Sequence, residues 1–449
     1  MALSGIQIYK LLPRTNCKEC GFPTCLAFAM KLAAKQAELS ACPYVSEESK
    51  KQLAESSQPP IRLISVKVTG YEVKAGNETV MFRHEKTFFN RPGIFVKVKA
   101  SEGEEAIKAK VGAADAFKVN YVGIDLTVDG FAVEADGADA SPGSAQAFVT
   151  AVKAARAATK RPLILVGKDP AALGAGLGTL SGENALLYAA NSANWEAMTE
   201  LAKQHHASLA VSAESLDALA DLTEKVKGKG LEDIVLDLKS TKLGPHLALS
   251  TQVRRLALKS NFRPLGYPVI TFAEGGDGRD SVVAAQAIAK YAGFIVLDRF
   301  APELVYPLLV LRQNIYTDPQ KPIQVQPAIY EINNPKPESP VLVTTNFSIT
   351  YFSVANEVEG SGLPAWLVVC DAEGMSVLTA WAAGKFDAER IAKTIKGFNV
   401  ADKVSRKRVV IPGHVAVLSG ELEAELPDWE IRVGPREAVD LPAFMKQAL

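Results

Sequence analysis

Short apolar runs alternate with amphipathic stretches between residues 90 and 316. The eight runs are typical of buried parallel strands, and helical patterns such as Ser144–Ala158, Glu214–Lys227 and Asp280–Tyr291 follow them. The runs are Ile94–Val98, Tyr121–Leu126, Leu163–Gly167, Ala185–Ala189, Ser208–Ser212, Ile234–Leu238, Val269–Ala273 and Phe294–Asp298. Eight strand–helix units predict a TIM (β/α)8 barrel. A doubly wound open sheet is the alternative, and the count of eight disfavours it.

The pattern changes on both sides of this region. Residues 1–58 contain short helical patterns and predict a small N-terminal domain. Strand-like alternation over Ile61–Val68 and Glu78–Arg83 predicts a β-hairpin that precedes the barrel, so the barrel domain spans residues 59–316. Six prolines between residues 317 and 340 predict an extended, semi-rigid linker, because proline is poorly tolerated in helices and central strands.

Residues 341–449 resume the strand–helix alternation. The strand candidates are Val341–Thr345, Trp366–Cys370, Val409–Ile411 and Glu430–Val433, each followed by a helical pattern. They predict a small Rossmann-like domain, in which ligands bind beyond the carboxyl ends of the strands. The chain as a whole is therefore predicted to be an α/β multidomain protein.

Composition and charge narrow the class of protein. The apolar fraction of 48% and the charged fraction of 22% exclude a largely disordered chain. The 50 basic and 50 acidic residues cancel, which disfavours nucleic acid or an anionic membrane as a partner. No apolar run approaches the ~20 residues that span a bilayer, and the first residues lack a signal-peptide pattern. We therefore expect a cytoplasmic protein.

Four of the five cysteines lie within the first 42 residues, at Cys17, Cys20, Cys25 and Cys42. Clustered thiols in a cytoplasmic chain predict a metal centre rather than disulfides. Four thiolates, with proline directly after Cys42, predict a 4Fe–4S cluster. A structural zinc site is the alternative, although zinc ribbons pair two C-x2-C knuckles and this chain has one. The helical run Leu26–Leu39 begins after Cys25 and would direct its N-terminal amides at the anionic cluster.

Other residues at predicted strand ends have either a structural or a ligand-binding interpretation. Cys370 ends an apolar strand, where a buried cysteine of the core is the commoner interpretation. Asp125, Asp237, Asp298 and the loop 274–277 follow barrel strands. They could bind a polar heterocycle, or they could cap the following helices, which is the favoured interpretation.

Three motifs, Thr15–Cys25, Leu342–Phe347 and Ile411–Gly420, give the whole chain a family resemblance. The chain resembles the large (gamma) subunits of corrinoid iron–sulfur proteins, which act with acetyl-CoA decarbonylase/synthase in the reductive acetyl-CoA pathway. The resemblance implies a corrinoid methyl carrier, a methyltransferase component whose Co(I) accepts a methyl group from methyltetrahydrofolate. Methyl-Co(III) would then supply acetyl-CoA synthase, and the 4Fe–4S cluster would reactivate Co(II).

The resemblance also implies a cobalamin-type corrinoid held by the C-terminal loops, with the chemistry at cobalt rather than at a catalytic side chain. The implied contact residues are Thr345, Asn346, Cys370, Asp371, Gly374, Met375, Ser376, Val377, Leu378, Thr379, Pro412, Gly413, His414, Ser419, Gly420, Gly434, Pro435, Arg436, Glu437 and Ala438. The chain lacks the D-x-H-x-x-G motif that supplies a cobalt-ligating histidine in many cobalamin domains. A base-off corrinoid without a protein histidine ligand is therefore expected.

The implied partners are proteins. They are a small TIM-barrel subunit forming a heterodimer, the methyltetrahydrofolate methyltransferase, acetyl-CoA synthase and a reductive activator. The linker over 317–340 would let the corrinoid domain move between them. Two other functions remain open, namely a TIM-barrel methyltransferase that binds the pterin itself beside a structural cluster, and a ferredoxin-like electron-transfer module.

Overall fold

The computed structural model describes residues 5–33, 36–50, 53, 59–85, 88, 90–121, 124–136, 142–240, 242–275, 278–317 and 323–448. The chain divides into two compact units. The first contains Met1–Phe117 and Thr127–Tyr316, and the second contains Lys118–Leu126 and Thr317–Leu449. Within the described residues, no helix is both long enough and apolar enough to span a bilayer.

The first unit begins with two short helices, α1 (Gly5–Leu11) and α2 (Cys25–Ala33). The predicted helix over Leu26–Leu39 therefore starts one residue earlier, and its described part ends at Ala33. The backbone N–H of Gln36 donates to the Lys31 carbonyl at 2.8 Å, a wider turn than an α-helix makes. Buried side chains from both helices form a small apolar core, namely Ile8, Leu12, Phe28 and Ala29.

A β-hairpin precedes the barrel, but its second strand is not the predicted one. Strand β1 (Ile64–Val68) pairs antiparallel with β2 (Tyr71–Ala75) rather than with Glu78–Arg83. The turn is Thr69-Gly70, where Gly70 adopts φ +87°, a conformation that glycine takes without steric cost. Side chains of both strands pack in the apolar cluster that fills the barrel interior.

Eight parallel strands close into a barrel, which confirms the predicted fold of this region. In chain order the described strands are β3 (Gly93–Lys99), β4 (Val119–Tyr121), β5 (Ile124–Leu126), β6 (Gly130–Glu134), β7 (Leu163–Val166), β8 (Leu186–Ala190), β9 (Ser208–Ser212), β10 (Ile234–Asp237), β11 (Val269–Ala273) and β12 (Phe294–Leu297). The barrel consists of β3 and β6 to β12, and β12 pairs with β3 to close it.

The prediction that Tyr121–Leu126 forms the second barrel strand is wrong. That segment contributes to the antiparallel hairpin β4–β5, which belongs to the second unit, and β6 takes the barrel position. Asn120 and Asp125 face each other across this hairpin and are exposed, as on the surface of a small ribbon. Phe131, Ala132 and Val133 of β6 are fully buried, as a barrel strand requires.

Helices surround the barrel on its outside: α3 (Glu104–Ala116), α4 (Pro142–Ala158), α5 (Pro170–Leu177), α6 (Trp195–Gln204), α7 (Leu216–Gly228), α8 (Leu243–Leu258), α9 (Arg279–Ala289) and α10 (Pro302–Ile315). Asp169 caps α5 and Ser215 caps α7 by accepting backbone N–H groups. Large and small apolar side chains together fill the barrel interior, among them Phe95, Phe294, Ala132 and Ala210.

Arg312 of α10 is a buried cation that joins three parts of the barrel. Its guanidinium pairs with the Asp129 carboxylate, and it donates to the carbonyls of Pro92 at 2.9 Å and Thr127 at 3.3 Å. These residues precede β3 and β6, so the contacts fix where both strands enter the barrel.

Replacing Arg312 by methionine should destabilise the first unit by about 2–3 kcal/mol, because the largely buried Asp129 carboxylate would lose its closest cation and keep only Arg91, at 4.0 Å. Urea unfolding followed by circular dichroism measures this change. Lys108→Met, which removes the exposed pair with Glu104, should cost about 0.5 kcal/mol or less. Equal losses of unfolding free energy in the two variants would contradict the role of Arg312 as a buried cation that stabilises the barrel.

The second unit contains a five-stranded sheet. Its strands are β13 (Ile329–Ile332), β14 (Val341–Thr345), β15 (Ala365–Cys370), β16 (Arg408–Ile411) and β17 (Glu430–Val433), in the order β13-β15-β14-β16-β17. The last four are mutually parallel, and β13 joins antiparallel at the edge beside β15. Its helices are α11 (Ser348–Ser361), α12 (Val377–Ala382), α13 (Ala388–Gly397), α14 (Val400–Lys403), α15 (Ser419–Glu425) and α16 (Leu441–Ala448).

The order of the parallel strands creates a crevice at one edge of this sheet. The chain passes from β14 to β15 in one direction and then crosses to β16 and β17 in the other. The carboxyl ends of β14 and β16 are neighbours at this reversal, which is where open α/β sheets bind ligands. Apolar clusters cover both faces of the sheet.

The proline-rich segment is not a linker along its whole length. The sequence predicts a linker over 317–340, whereas Ile329–Ile332 forms β13 and pairs with β15. These four residues contain no proline, so the strand can donate its backbone N–H groups. Residues 318–322 of the predicted linker lie outside the described part of the chain.

Candidate functional site

Three of the four clustered cysteines share one small apolar core. Cys25 and Cys42 are buried, Cys20 is partly buried against them, and Cys17 is exposed. Cys25 is the first residue of α2, so its thiol lies at the positive end of that helix. Among the described residues, no three Cys, His, Asp or Glu side chains converge as ligands of a single metal ion.

The loop between α1 and α2 has an unusual backbone. Arg14, Asn16 and Lys18 all adopt positive φ values between 50° and 69°, which is uncommon for residues other than glycine. The Asn16 side chain accepts from the Cys25 N–H at 2.8 Å, and the Asn16 N–H donates to Cys25 Sγ at 3.4 Å. Hydrogen bonds to a ligating sulfur are among the features that set the potential of a cluster.

These features are compatible with a polynuclear iron–sulfur cluster. The donor set is four thiols without a histidine or carboxylate, the left-handed loop turns tightly beside Cys17 and Cys20, and Asn16 orients Cys25. Sequence reasoning identified the cysteines but missed Asn16. Asparagine both tolerates positive φ and caps helices, so its position in Thr15-Asn16-Cys17 was the available signal.

The second unit has a cavity of about 560 Å³ at the crevice between β14 and β16. The start of α11, the start of α12 and the loops after β16 and β17 surround it. Ile349 and Val439 line this cavity and yet are 65% and 66% exposed. Large apolar side chains at that exposure around a concave site are typical of a surface that binds a ligand or a partner.

Half of the residues predicted to contact the corrinoid line this cavity. They are Ser376, Val377, Leu378, Pro412, His414, Gly434, Pro435, Arg436, Glu437 and Ala438. The other ten do not line it, namely Thr345, Asn346, Cys370, Asp371, Gly374, Met375, Thr379, Gly413, Ser419 and Gly420. The loops that sequence reasoning selected are thus brought together at one end of the sheet.

Asn346 is buried, and its amide is fully used within the protein. The side-chain oxygen accepts from the N–H groups of Ala372 at 2.9 Å and Gly374 at 3.0 Å. The side-chain nitrogen donates to Gln324 Oε1 and Asp371 Oδ1, each at 3.2 Å. Asn346 therefore fixes the loop after β15 and acts as a positioning residue beside the cavity.

Two buried hydroxyl groups at the end of β14 have no partner in the part of the protein that the structure describes. Thr344 and Thr345, at the end of β14, are fully buried, and their Oγ1 atoms form no hydrogen bond among the described residues. Thr344 also lines the cavity. An unsatisfied buried hydroxyl is costly, so its presence at a strand end is consistent with a polar ligand beside it.

Cys370 lies in the apolar core of the second unit and is completely buried. Burial raises the pKa of its thiol to about 12, so the group stays protonated at neutral pH. Its side chain packs on the α13 side of the sheet rather than facing the cavity. The surroundings of Cys370 are therefore those of a cysteine in an apolar core.

Sequence reasoning missed the longest wall of the cavity. Ile349, Thr350, Ser353, Val354 and Glu357 recur at helical spacing along one side of α11 and line the cavity. The signal was that α11 begins directly after β14, so its first turns must pass the carboxyl end of the sheet. This side of α11 mixes polar and apolar residues, so the helix has no clear amphipathic pattern and its cavity-lining role could not be predicted.

The barrel residues singled out from the sequence occupy different places. Asp125 lies on the exposed hairpin of the second unit and binds Lys118. Asp237 and Asp298 lie at the carboxyl ends of β10 and β12 and bind other side chains instead of capping helices. Of the loop 274–277, Gly276 and Asp277 lie outside the described residues.

Comparison with known proteins adds family information. Residues 64–445 match the family model described as CO dehydrogenase/acetyl-CoA synthase delta subunit, and residues 12–44 match one described as a putative Fe-S cluster. The second match contains all four clustered cysteines. The first spans the described barrel and nearly all of the C-terminal sheet region.

Curated relatives match along essentially the whole chain. The corrinoid/iron-sulfur protein large subunit of Moorella thermoacetica is 43% identical, covering 100% of both chains. Acetyl-CoA decarbonylase/synthase complex gamma subunits of Methanopyrus kandleri and Archaeoglobus fulgidus are each 33% identical, covering 99% of this chain and 98% of theirs. The family model carries a delta-subunit description, whereas these full-length relatives are large or gamma subunits. The full-length relatives are more informative about the family than the delta-subunit description, because their matches include the N-terminal cysteines.

Proposed function

This chain belongs to the family of corrinoid/iron–sulfur protein large subunits and acetyl-CoA decarbonylase/synthase gamma subunits, and on that premise we propose that it is a corrinoid methyl carrier. The cavity beyond the carboxyl ends of β14 and β16 is the observation that carries the proposal. We interpret the sheet around it as a Rossmann-like domain that holds a cobalamin-type corrinoid. The carrier would be the methyltransferase component of a cytoplasmic pathway.

The residues at the cavity fit a flat macrocycle with amide side chains. Gly413 and Gly434 approach so closely that a Cβ on Gly413 would lie 2.5 Å from the Gly434 carbonyl oxygen. The loop backbones there can lie flat beside a ring, while the Thr344 hydroxyl, which lines the cavity and has no partner among the described residues, offers a hydrogen bond to its amides. When bound, the corrinoid would supply a cobalt nucleophile that accepts a methyl group from methyltetrahydrofolate on a methyltransferase and passes it to acetyl-CoA synthase.

The N-terminal cysteines would serve a separate purpose. We propose that Cys17, Cys20, Cys25 and Cys42 hold a 4Fe–4S cluster, which would supply the electron that returns oxidised cobalt to its active state. Cys17 is exposed, so electrons from a reductive activator could enter at that edge. Asn16 donates its N–H to Cys25 Sγ and keeps the α2 end of the ligand set in place.

The exposed apolar rim of the cavity supports a protein partner. Ile349, Leu378 and Val439 line the cavity and are 65%, 46% and 66% exposed. A small TIM-barrel subunit, forming a heterodimer with this chain, would cover the cofactor there. Movement of the corrinoid domain between this subunit and the two enzymes remains part of the proposal, and a cross-link from residues 317–340 to the barrel should slow methyl transfer.

Metal analysis after anaerobic purification tests the proposed function. About four iron and one cobalt per chain are expected, with corrinoid bands in the visible spectrum. A cluster spectrum without cobalt would support the ferredoxin-like module instead. Methyl transfer from methyltetrahydrofolate by this chain alone, without a separate methyltransferase, would support the TIM-barrel methyltransferase. Zinc in place of iron would overturn the cluster assignment.

His414 provides a test of the base-off proposal. It lines the cavity, and its Nε2 lies 3.9 Å from Glu437 Oε1, so it is the histidine nearest to the proposed cofactor site among those described in the second unit. If no histidine binds cobalt, labelling the protein with 15N-histidine should leave the cobalt EPR spectrum unchanged, and so should His414→Ala. His205→Ala, in the first unit, is the matched control. A labelling-dependent splitting that disappears only in His414→Ala would contradict the proposal.

A further inference from the structure

The chain enters the C-terminal sheet through a short segment that is fixed at the end of β14, the strand whose Thr344 lines the cavity. Residues 323–326, here called the joining segment, pass this strand end, where Gln324 and Phe347 form an antiparallel bridge. The Val325 N–H donates to the Asn346 carbonyl at 2.9 Å, and the Val325 side chain is fully buried in an apolar cluster of the second unit. Part of the segment predicted to be a linker is therefore anchored at the strand end that carries the proposed cofactor site.

The Gln324 side chain contacts two residues that shape this end of the sheet. Its Oε1 accepts a hydrogen bond from Asn346 Nδ2 at 3.2 Å. A Cβ built on Gly374 would lie 2.7 Å from Gln324 Cγ and 2.8 Å from Gln324 Nε2, so the glutamine side chain runs directly along the Gly374 backbone. Gln324 thus touches both the loop after β15 and the asparagine that holds this loop.

Asn346 has no spare hydrogen-bonding group that could replace this contact. It is 1% exposed, and the two hydrogens of its amide nitrogen are donated to Gln324 Oε1 and Asp371 Oδ1. A buried N–H that loses its acceptor is costly, so removal of the Gln324 oxygen would favour a movement of the Asn346 amide. The Asn346 oxygen accepts from the N–H groups of Ala372 and Gly374, and such a movement would loosen both hydrogen bonds.

The loop after β15 depends on these contacts because its backbone is strained. Glu373 and Gly374 adopt φ values of +54° and +73° in succession, and this left-handed conformation is uncommon for a residue such as glutamate. Conformations of this kind persist where the surrounding structure holds them, and they are frequent at ligand sites. The loop leads directly into α12, where Ser376, Val377 and Leu378 line the cavity. Its position therefore sets part of the cavity wall.

We propose that Gln324 is a positioning residue for the corrinoid and that it couples the joining segment to the cofactor site. The contacts run from Gln324 through Asn346 and Gly374 to the start of α12. Because coupling between two parts of a protein is reciprocal, a bound corrinoid would stabilise the joining segment as the segment stabilises the loop. The inference rests on the proposed function and deepens it, since the segment between the two units takes part in holding the cofactor.

Binding of hydroxocobalamin to the full chain, measured by equilibrium dialysis, tests the proposal in Gln324→Met. Methionine keeps a side chain of similar length beside Gly374 and removes the oxygen that accepts from Asn346. We expect about 5- to 10-fold weaker binding, and an altered EPR spectrum of the Co(II) form, because the start of α12 would no longer keep one position. An affinity or an EPR spectrum identical to that of the unmodified chain would overturn the proposal.

Gln326→Met is the matched control. Gln326 lies two residues further along the chain and is exposed, so its replacement should leave the affinity within about twofold and the EPR spectrum unchanged. Equal weakening of hydroxocobalamin binding in Gln324→Met and Gln326→Met would overturn the role given to Gln324.

Hydrogen exchange measured by mass spectrometry separates this inference from the proposed function. In the cofactor-free chain, Gln324→Met should make the backbone amides of residues 371–376 exchange about tenfold faster. Hydroxocobalamin should slow exchange in residues 323–326 of the unmodified chain, and much less in Gln324→Met. Unchanged exchange of residues 371–376 in Gln324→Met would overturn the inference alone. Failure of the unmodified chain to bind hydroxocobalamin would refute the methyl-carrier function, and the exchange of residues 371–376 would still decide whether Gln324 orders the loop.

Discussion

Replacing Cys25 by alanine should lower the iron content from about four atoms per chain to near zero and leave about one cobalt in place. Cys25 is the buried thiol at the start of α2, where two hydrogen bonds with Asn16 hold it, and alanine would remove one of the four proposed ligands. Cobalt should stay because the corrinoid residues lie in the other unit. Metal analysis and the visible spectrum of the purified protein measure both quantities.

Cys370→Ala is the matched control for this experiment. That thiol is buried in the core of the second unit and has no part in the proposed ligand set. Its removal should leave about four iron atoms per chain and weaken only the packing of that core. Iron that survives Cys25→Ala, or iron lost equally in both variants, would refute the ligand assignment.

A second large effect is expected from Gly413→Ala, which should remove most of the bound corrinoid. The added Cβ would lie 2.5 Å from the Gly434 carbonyl oxygen and 2.7 Å from the Pro435 carbonyl carbon, both of them backbone atoms. The loops after β16 and β17 would have to separate, and they form one side of the cavity. We expect a loss of affinity of about tenfold or more, measured as cobalt retained after gel filtration.

Gly360→Ala is the control in the same unit. Gly360 lies in α11, where an added Cβ meets nothing within 4 Å, and alanine should if anything favour the helix by ~1 kcal/mol. Cobalt retention in this variant should equal that of the unmodified chain. Retention in Gly413→Ala as well would show that the approach of the two loops does not shape the cofactor site.

The barrel was accessible from sequence because its buried parallel strands are short apolar runs that hardly depend on context. The error at Tyr121–Leu126 has a physical cause, since a run of that length suits either a barrel strand or a small hairpin, and the burial of Phe131 decides between them only after folding. Strand β13 was not predicted, because the nearby prolines indicated a linker that pairs with no strand, whereas Ile329–Ile332 pairs with β15.

In the candidate sites, too, the features that depend on local sequence could be predicted, and the contacts between distant residues could not. Cysteine spacing and loop position are local properties, so the sequence could supply ten of the 23 residues that line the cavity, while the cysteine ligand set stays a prediction. The contacts of Lys97 with Glu274 and of Arg312 with Asp129 join residues about 180 positions apart, which no local pattern encodes. The same holds for Asn346, whose four hydrogen bonds exist only when the loops after β14 and β15 meet.

The hairpin β4–β5 makes the second unit discontinuous in the chain. Tyr121 packs against the apolar cluster of that unit, yet residues 127–316 are synthesised before the rest of the unit emerges from the ribosome. During translation residues 118–126 therefore emerge before the rest of their own core exists. They must wait for it while the remaining barrel segments are synthesised. A fragment that begins at residue 317 would likewise lack part of its own core, so separate production of the C-terminal half calls for residues 118–126 to be supplied with it.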